Sequence, residues 1–408
     1  MRNEALASMP VRAERPKKLA ALPVPQLVDG LLQQALQERA SDIHLEPAVQ
    51  GLRVRFRIDG MLREKEILPL ELQAAVLSRI KLLSSLDIAE KRLPQDGRWR
   101  VQAEEQKFDV RVSTLPVQGG EKVVLRILPF RGMQRNIETL GFGKDALQRY
   151  RLLYKKPQGI LLVCGPTGSG KTTTLYATLA ELNQPESNLV SIEDPVELQL
   201  PGMNQVQVNT KAGLTFAAAL RAILRQDPNI IMVGEIRDAE TADAAVRAAM
   251  TGHLVFSTLH TNDAAGAVVR LLDLGVPPFL VATSLLGVVA QRLVRLVCRE
   301  CRQPYFPEKH TAEGMLLDNM PEGKRSFVKG CGCDACGQSG YRGRQAIYEV
   351  MAVTPRLRQL IQEKAAAYEI EAMAREEGMQ TMSEDGVAKA RAGVTSLSEV
   401  VRVAAGME

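Results

Sequence analysis

One stretch of eight residues, 165–172, restricts the fold of this chain more than any other feature. It reads Gly-Pro-Thr-Gly-Ser-Gly-Lys-Thr and fits the phosphate-loop pattern Gly-x-x-x-x-Gly-Lys-Ser/Thr. The apolar run before it, residues 159–164, predicts a buried strand, and residues 173–182 after it predict a helix. Strand, glycine-rich loop and helix in this order indicate an α/β fold with a parallel sheet.

The residue types of this loop suit a nucleoside triphosphate. Glycines expose backbone N–H groups that surround a phosphate at the N-terminus of the following helix. Lys171 adds a positive charge toward the β- and γ-phosphates, and the hydroxyl of Thr172 is a ligand for Mg²⁺. The predicted nucleotide-binding residues of the loop are Gly165, Pro166, Thr167, Gly168, Ser169, Gly170, Lys171, Thr172 and Thr173.

Composition narrows the class of protein. The chain has 408 residues, which suggests two to four domains, and its 45% hydrophobic and 24% charged residues are typical of a soluble globular protein. Aromatic residues make up only 4% and the net charge is +5, so we expect no nucleic-acid partner. The uncharged run 274–291 is slightly short for a membrane span, and we predict a buried helix that starts near Pro277 and Pro278.

Six segments follow from changes in composition and periodicity. A small mixed α/β module with an antiparallel sheet comes first, and a core of alternating strands and helices with a parallel sheet follows it. The predicted boundaries are a flexible lead at 1–25, the first module at 26–130, a linker at 131–138, the core at 139–297, a cysteine-containing insertion at 298–345 and a helical region at 346–408.

Polar residues end three further strands of the predicted core. Glu193, Glu235 and His260 each follow an apolar run, at the edge where ligands bind in parallel sheets. Hydrolysis of a γ-phosphate needs a held metal ion, an oriented water and compensating charge. We predict that Glu235 holds Mg²⁺ or its waters, that Glu193 orients the attacking water and that His260 senses the γ-phosphate. For any one of these residues alone, a solvated side chain at the end of a strand without a catalytic role is an equally good interpretation.

Two Cys-x-x-Cys pairs predict a structural zinc site. Cys298 and Cys301 form the first pair and Cys333 and Cys336 the second, so that four thiolates complete a tetrahedral Zn²⁺ shell. Cys331 lies beside the second pair and is an alternative ligand.

Over residues 26–408 the chain resembles the secretion ATPases of the GspE/PilB/PilT superfamily. The blocks that carry the resemblance are residues 41–46, 192–197, 224–228, 234–238, 249–253 and 257–262. The resemblance implies a RecA-like P-loop ATPase core preceded by a PAS-like module, assembled as a homo-hexamer that binds ATP at its subunit boundaries. It also favours Cys333 over Cys331 as the zinc ligand. Family members often carry a further N-terminal docking module, and about 25 irregular residues stand here, so we expect docking through another surface or a short form.

The resemblance also gives four arginines a role. It implies that Arg111 and Arg126 of the first module reach the γ-phosphate, and that Arg221 and Arg225 lie at the ring interface beside the nucleotide. The alternative for each is a solvated surface ion pair worth about 0–1 kcal/mol.

The four cysteines bear on which machine the motor serves. Secretion and assembly members carry this subdomain, whereas retraction motors typically lack it. The resemblance therefore favours a cytoplasmic Mg-ATPase that drives type II protein secretion, held at the inner membrane through platform proteins. Assembly of a type IV pilus or a competence pseudopilus is the alternative, and a nucleic-acid translocase is less favoured.

Overall fold

The computed structural model describes residues 7–8, 19–103, 106–129, 136–318, 320, 323 and 326–404. Most of the predicted lead at 1–25 and residues 131–135 of the predicted linker lie outside this part of the chain. The chain divides into two compact units, Met1–Met133 and Gln134–Glu408.

The first unit is a seven-stranded sheet covered by two helices. Its elements are β1 Ala7–Ser8, α1 Val24–Gln37, β2 Ala40–Ala48, β3 Gly51–Ile58, β4 Met61–Leu68, α2 Leu70–Leu83, β5 Gln95–Ala103, β6 Gln106–Val117 and β7 Gly120–Pro129. The strand order is β1-β5-β6-β7-β2-β3-β4, and every pair is antiparallel except β1 with β5. This is the small α/β module with an antiparallel sheet that the alternating sequence predicts.

Apolar residues at helical spacing bury one face of each helix against this sheet. Leu27 and Leu31 of α1 and Val76 of α2 are almost fully buried in one core with Val54 and Phe56 of β3. The core of the first unit therefore lies between its two helices and one face of its sheet.

The second unit contains a mixed, mostly parallel seven-stranded sheet. Up to the end of this sheet's main parallel part, its elements are α3 Lys144–Tyr154, β8 Gly159–Cys164, α4 Lys171–Leu182, β9 Leu189–Glu193, β10 Asn204–Gln207, α5 Phe216–Ile223, β11 Ile230–Val233, α6 Ala239–Met250, β12 Leu254–Leu259, α7 Ala264–Asp273, α8 Pro278–Ser284 and β13 Leu285–Val297. They are followed by β14 Arg302–Tyr305, α9 Ala312–Asp318, β15 Phe327–Gly330, β16 Tyr341–Ala352, α10 Pro355–Gln362, α11 Ala367–Glu376, α12 Met382–Arg391 and α13 Leu397–Ala404.

The strand order of this sheet is β10-β9-β11-β12-β8-β13-β16, with only β16 antiparallel to its neighbour. Every residue of β8, β11 and β12 is buried, as the continuous apolar runs of a sheet covered on both faces require. The predicted α/β class with a parallel sheet is confirmed.

Two predictions need correction around the end of this sheet. The helix predicted from Pro277 begins at Pro278 but ends at Ser284, because residues 285–297 form β13. A buried apolar run does not distinguish helix from strand by periodicity, and here it fills the gap between β8 and β16. The predicted boundary at residue 346 falls inside β16, so the last segment begins with a strand of the main sheet rather than a helix.

Within the described residues, we find no helix that combines the length and the apolar character needed to cross a membrane.

Candidate nucleotide-binding site

The candidate site lies at one edge of the second unit's sheet. Strands β9, β11, β12 and β8 are consecutive neighbours and parallel, so their carboxyl ends reach the same edge. Glu193 is the last residue of β9, Glu235 follows β11 and His260 follows β12. The phosphate loop follows β8, so all four predicted positions stand in one row.

The loop backbone depends on its glycines. Gly165, Gly168 and Gly170 have φ of 148°, 79° and 89°, which side chains rarely allow. A Cβ added to Gly165 would also lie 2.4 Å from the carbonyl oxygen of Gln291. Gly170 is the N-cap of α4, so the loop delivers its last peptide groups to the positive end of a helix.

Lys171 is folded back onto the loop and is only 9% exposed. Its Nζ donates hydrogen bonds to the carbonyl oxygens of Gly165 at 2.7 Å and Pro166 at 3.0 Å. Burial lowers the pKa of Lys171, and the nearby charge of Glu235 opposes that shift. The ammonium group therefore bonds the loop itself and interacts electrostatically with the carboxylate that follows β11.

Glu235 and His260 face each other across the ends of β11 and β12. The Glu235 Oε2 lies 3.6 Å from Nε2 of His260, and its Oε1 lies 2.5 Å from Nη2 of Arg237. Burial and the charge of Lys171 lower the pKa of His260 from its ordinary value of 6.5, against the opposing effect of Glu235, and this shift favours the neutral imidazole. A neutral imidazole can donate one hydrogen bond to a phosphate oxygen.

Glu193 is held by three donors and is 3% exposed. Its Oε1 accepts hydrogen bonds from Oγ of Ser191 at 2.6 Å and Nε2 of Gln205 at 3.0 Å, and its Oε2 accepts one from the hydroxyl of Tyr176. A carboxylate has about four acceptor positions, so one remains for a further donor. Tyr176 lies on α4 and links this carboxylate to the phosphate-loop helix; sequence reasoning missed it because an aromatic residue inside a helix is typical of a core.

The two interface arginines of the prediction are exposed on the second unit. Nη1 of Arg221 lies 2.6 Å from Oε1 of Glu240, and Nη1 of Arg225 donates to the carbonyl oxygen of Arg221 at 2.8 Å. The contact of Arg221 joins α5 to α6, and that of Arg225 stays within its own segment of chain.

Arg111 and Arg126 belong to the first unit and are cross-strand neighbours on β6 and β7. Nε of Arg126 lies 3.1 Å from Oδ1 of Asp42, and Nε of Arg111 lies 3.6 Å from Oδ2 of Asp109. Residues opposite each other in antiparallel strands share one face of the sheet, so both side chains leave the same face, each turned to its own aspartate.

The four cysteines of the two Cys-x-x-Cys pairs form one cluster. Their sulfur atoms all lie within 4.8 Å of one another. The separations are 3.8 Å for Cys298 with Cys333, 3.9 Å for Cys301 with Cys336 and 3.7 Å for Cys333 with Cys336. A tetrahedron with Zn–S bonds of about 2.3 Å has edges of about 3.8 Å, so the donor set fits Zn²⁺.

Backbone N–H groups surround these sulfurs. Gly332 donates to Sγ of Cys301 at 3.3 Å, and Gly340 donates to Sγ of Cys336 at 3.2 Å. Such bonds stabilise thiolates. Cys331 stands outside the cluster, exposed, with its thiol donating to the carbonyl oxygen of Cys301 at 2.9 Å.

The model of the family described as Type II/IV secretion system protein matches residues 17–402. The chain belongs to this family. It is 49% identical over 381 residues to Type II secretion system protein E of Pseudomonas aeruginosa, which covers 93% of this chain and 75% of that relative. It is 48% identical over 376 residues to the type IV pilus assembly ATPase PilB of Thermus thermophilus, covering 92% of this chain and 42% of PilB.

A solved structure of the pilus retraction motor PilT with bound ADP has a similar fold. Its TM-score is 0.61 with 28% identity, and the match covers 91% of this chain and 95% of that chain. As a secretion ATPase, the chain is an ATP-hydrolysing enzyme with a RecA-like core. The predicted family, fold and enzyme class are therefore confirmed.

The residues at this edge can supply the groups that hydrolysis of a γ-phosphate needs. The loop and Lys171 can hold phosphates, and the carboxylates of Glu235 and Glu193 can hold a hydrated divalent cation and a water. His260 adds a neutral hydrogen-bonding group. Gln291, which no motif in the sequence singles out, contacts the loop from the next strand. The signal available in the sequence was an amide side chain within a run of apolar residues, where burial is expected.

Proposed function

We propose that this secretion ATPase is a hexameric Mg-ATPase motor that drives protein export through a type II secretion system. The identity of 49% to a type II secretion protein E over 93% of the chain is the observation that carries the proposal. ATP binding by residues 165–173 and hydrolysis at the adjoining sheet edge would supply the energy.

Within this motor, Lys171 neutralises the phosphates and Thr172 ligates Mg²⁺. Glu235 holds the ion or its waters, which its contact with His260 and its electrostatic interaction with Lys171 support. Glu193 orients the attacking water through its remaining acceptor position, and His260 senses the γ-phosphate by a hydrogen bond. Mg²⁺ supplies charge neutralisation when bound.

The exposed arginines complete the site only in an assembly. Arg221 and Arg225 stand on the surface of the second unit, where a neighbouring subunit's nucleotide can meet them. Arg111 and Arg126 present two adjacent positive charges, which suits a γ-phosphate at the same boundary. We propose a homo-hexameric ring, in which these arginines approach the nucleotide of a neighbouring subunit.

Zn²⁺ bound by Cys298, Cys301, Cys333 and Cys336 is proposed as a structural ion, since all four ligand positions are filled by protein. We further propose that the motor works at the cytoplasmic face of the inner membrane, held there by platform proteins of the machine. Nucleic acid is not among its proposed partners.

Assembly of a type IV pilus or a competence pseudopilus is the second candidate, supported by the 48% identity to PilB. A deletion strain scored in parallel for exoprotein secretion and for surface filaments separates the two. Loss of secretion with normal filaments, restored by the wild-type gene and not by its Lys171→Ala variant, supports the type II proposal. Loss of filaments with normal secretion overturns it in favour of pilus assembly.

A further inference from the structure

Gln291 lies where two neighbouring strands of unequal length separate. β13 runs parallel to β8 and pairs Ala290 with Cys164, the last residue of β8. β8 ends there and becomes the phosphate loop, whereas β13 continues. Gln291 is therefore the first residue of β13 that stands beside the loop, and it is 2% exposed.

The amide of Gln291 joins the loop to the helix that follows it. Its Nε2 donates to the carbonyl oxygen of Ser169 at 2.8 Å, and its Oε1 accepts from the hydroxyl of Thr174 at 2.8 Å. A carbonyl oxygen can only accept, so the nitrogen of the amide must face Ser169. One buried side chain thus fixes both ends of the turn into α4.

Two glycines of the loop pack closely against the same residue. A Cβ at Gly165 would lie 2.4 Å from the carbonyl oxygen of Gln291, and a Cβ at Gly170 would lie 2.8 Å from its Nε2. Together with Ser169, the loop therefore touches Gln291 at its beginning and at its end.

The peptide unit between Ser169 and Gly170 connects this contact to phosphate binding. A trans peptide is planar, with its N–H directed opposite to its C=O. Holding the carbonyl of Ser169 against Gln291 therefore turns the N–H of Gly170 away from β13, into the loop. Backbone N–H groups are the donors that such loops offer to phosphates.

We propose that Gln291 is a positioning residue that sets the direction of the phosphate-binding N–H groups, resting on the proposed function of residues 165–172. It acts through the peptide of Ser169 and touches no substrate atom. This role requires the hydrogen-bond donor Nε2 at the end of the Gln291 side chain, whereas a purely packing role would require only a side chain of similar volume.

The test compares Gln291→Glu, which keeps an acceptor for Thr174 but loses the donor, with Gln291→Met, which loses both. Thr178→Val is the matched control, since it removes a buried hydroxyl of α4 that bonds the hydroxyl of Tyr150 at 2.7 Å and the carbonyl oxygen of Thr174 at 2.9 Å, both outside residues 165–172. Binding of Mg-ADP by calorimetry, kcat and KM for ATP, and the unfolding temperature without nucleotide are measured for each.

We expect both Gln291 variants to weaken Mg-ADP binding and raise KM by about tenfold or more, with a smaller change in kcat. Thr178→Val should lower the unfolding temperature comparably and leave the affinity within about twofold. Wild-type affinity in either Gln291 variant, or an equal loss in Thr178→Val, overturns the inference. Lys171→Ala is measured alongside: if it too binds Mg-ADP normally, the assignment of the loop itself is wrong.

Discussion

The phosphate loop and the cysteine cluster are both candidate ligand sites, but the chain builds them in different ways. The loop is shaped by contacts within the protein: glycine dihedral angles, the bonds of Lys171 to two loop carbonyls and the bond of Gln291 to Ser169. In the cluster, by contrast, four sulfur atoms stand at tetrahedral spacing, and backbone N–H groups lie 3.2 to 3.3 Å from two of them.

This difference assigns different tasks to the two ligands. A nucleotide that enters the preformed loop adds little to the folding of the loop itself, so its binding energy is available for catalysis. Four thiolates close together repel one another, so their arrangement needs a cation between them. We therefore expect the metal to be required for folding of the cluster, and the nucleotide to bind a loop that is already folded.

Removing the metal gives the largest expected effect. Cys298→Ser should abolish stoichiometric zinc and unfold the segment around the cluster, since structural Zn²⁺ contributes on the order of 10 kcal/mol. Metal analysis by mass spectrometry and protease sensitivity of the segment measure this. Cys331→Ser is the matched control, because that thiol is exposed and outside the cluster. A wild-type protein without zinc would contradict the prediction.

Glu235→Gln should leave the nucleotide site folded, in contrast to the loss of a zinc ligand, and should remove only a catalytic carboxylate. ATP should still bind, while turnover falls by about 10²- to 10⁴-fold because the metal and its water lose a carboxylate. Phosphate release and nucleotide affinity are the measurements, with Asp243→Asn on the surface of α6 as the control. Turnover at the wild-type rate would show that Glu235 has no part in hydrolysis. A larger loss of turnover in Glu193→Gln would show that Glu193 is the more important carboxylate.

Substitution of two loop glycines tests how fully the chain determines the loop. Gly165→Ala places a Cβ 2.4 Å from the carbonyl oxygen of Gln291, whereas at Gly168 no atom lies within 4 Å and only the φ of 79° opposes a side chain. Gly168→Ala should cost about 1 kcal/mol of unfolding free energy, and Gly165→Ala about 2–4 kcal/mol with loss of nucleotide binding. Denaturant unfolding measures both. Equal costs would show that the close approach of Gln291 adds nothing to the cost of a side chain at Gly165.

The smallest expected effect is on the pH dependence of the unfolding free energy. It comes from a carboxyl group that belongs to neither the phosphate loop nor the cysteine cluster. Glu349 on β16 accepts bonds from the N–H groups of Ala264 and Met382, which begin α7 and α12, and burial raises its pKa from 4.5 to about 7. The folded state then binds a proton that the unfolded chain has released. Its stabilisation is present below about pH 4.5 and is lost as the pH rises through 7.

Glu349→Gln should therefore flatten the dependence of unfolding free energy on pH between about 5 and 7.5. Denaturant titrations of both proteins at several pH values measure the difference. Glu376→Gln, at the exposed end of α11, serves as the comparison. Parallel pH profiles for the wild type and Glu349→Gln would show that the folded carboxyl group is not perturbed.

The sequence predicted those parts whose signal is local. The phosphate loop is contiguous, and the cysteine pairs carry their own spacing. Each depends on a few adjacent residues, so periodicity and motif suffice.

What the sequence did not predict depends on contacts between distant segments. Tyr176 donates to Glu193 across 17 positions, and Gln291 reaches Ser169 across 122. Likewise, the run 285–297 became a strand because β8 and β16 offer it partners, a fact absent from its own residues. Strand order and side-chain partners are tertiary properties, and no local pattern encodes them.

β13 places Gln291 beneath the loop and leads, without an intervening turn, to Cys298 directly after its last residue. At about 3.3 Å per residue, seven steps of extended chain span about 23 Å. The strand contains a β-bulge between Arg295 and Val297 but no loop, so the backbone that carries the first zinc ligand is continuous with the backbone beside the phosphate loop. Loss of the metal would therefore free one end of a strand whose other end stays paired with β8.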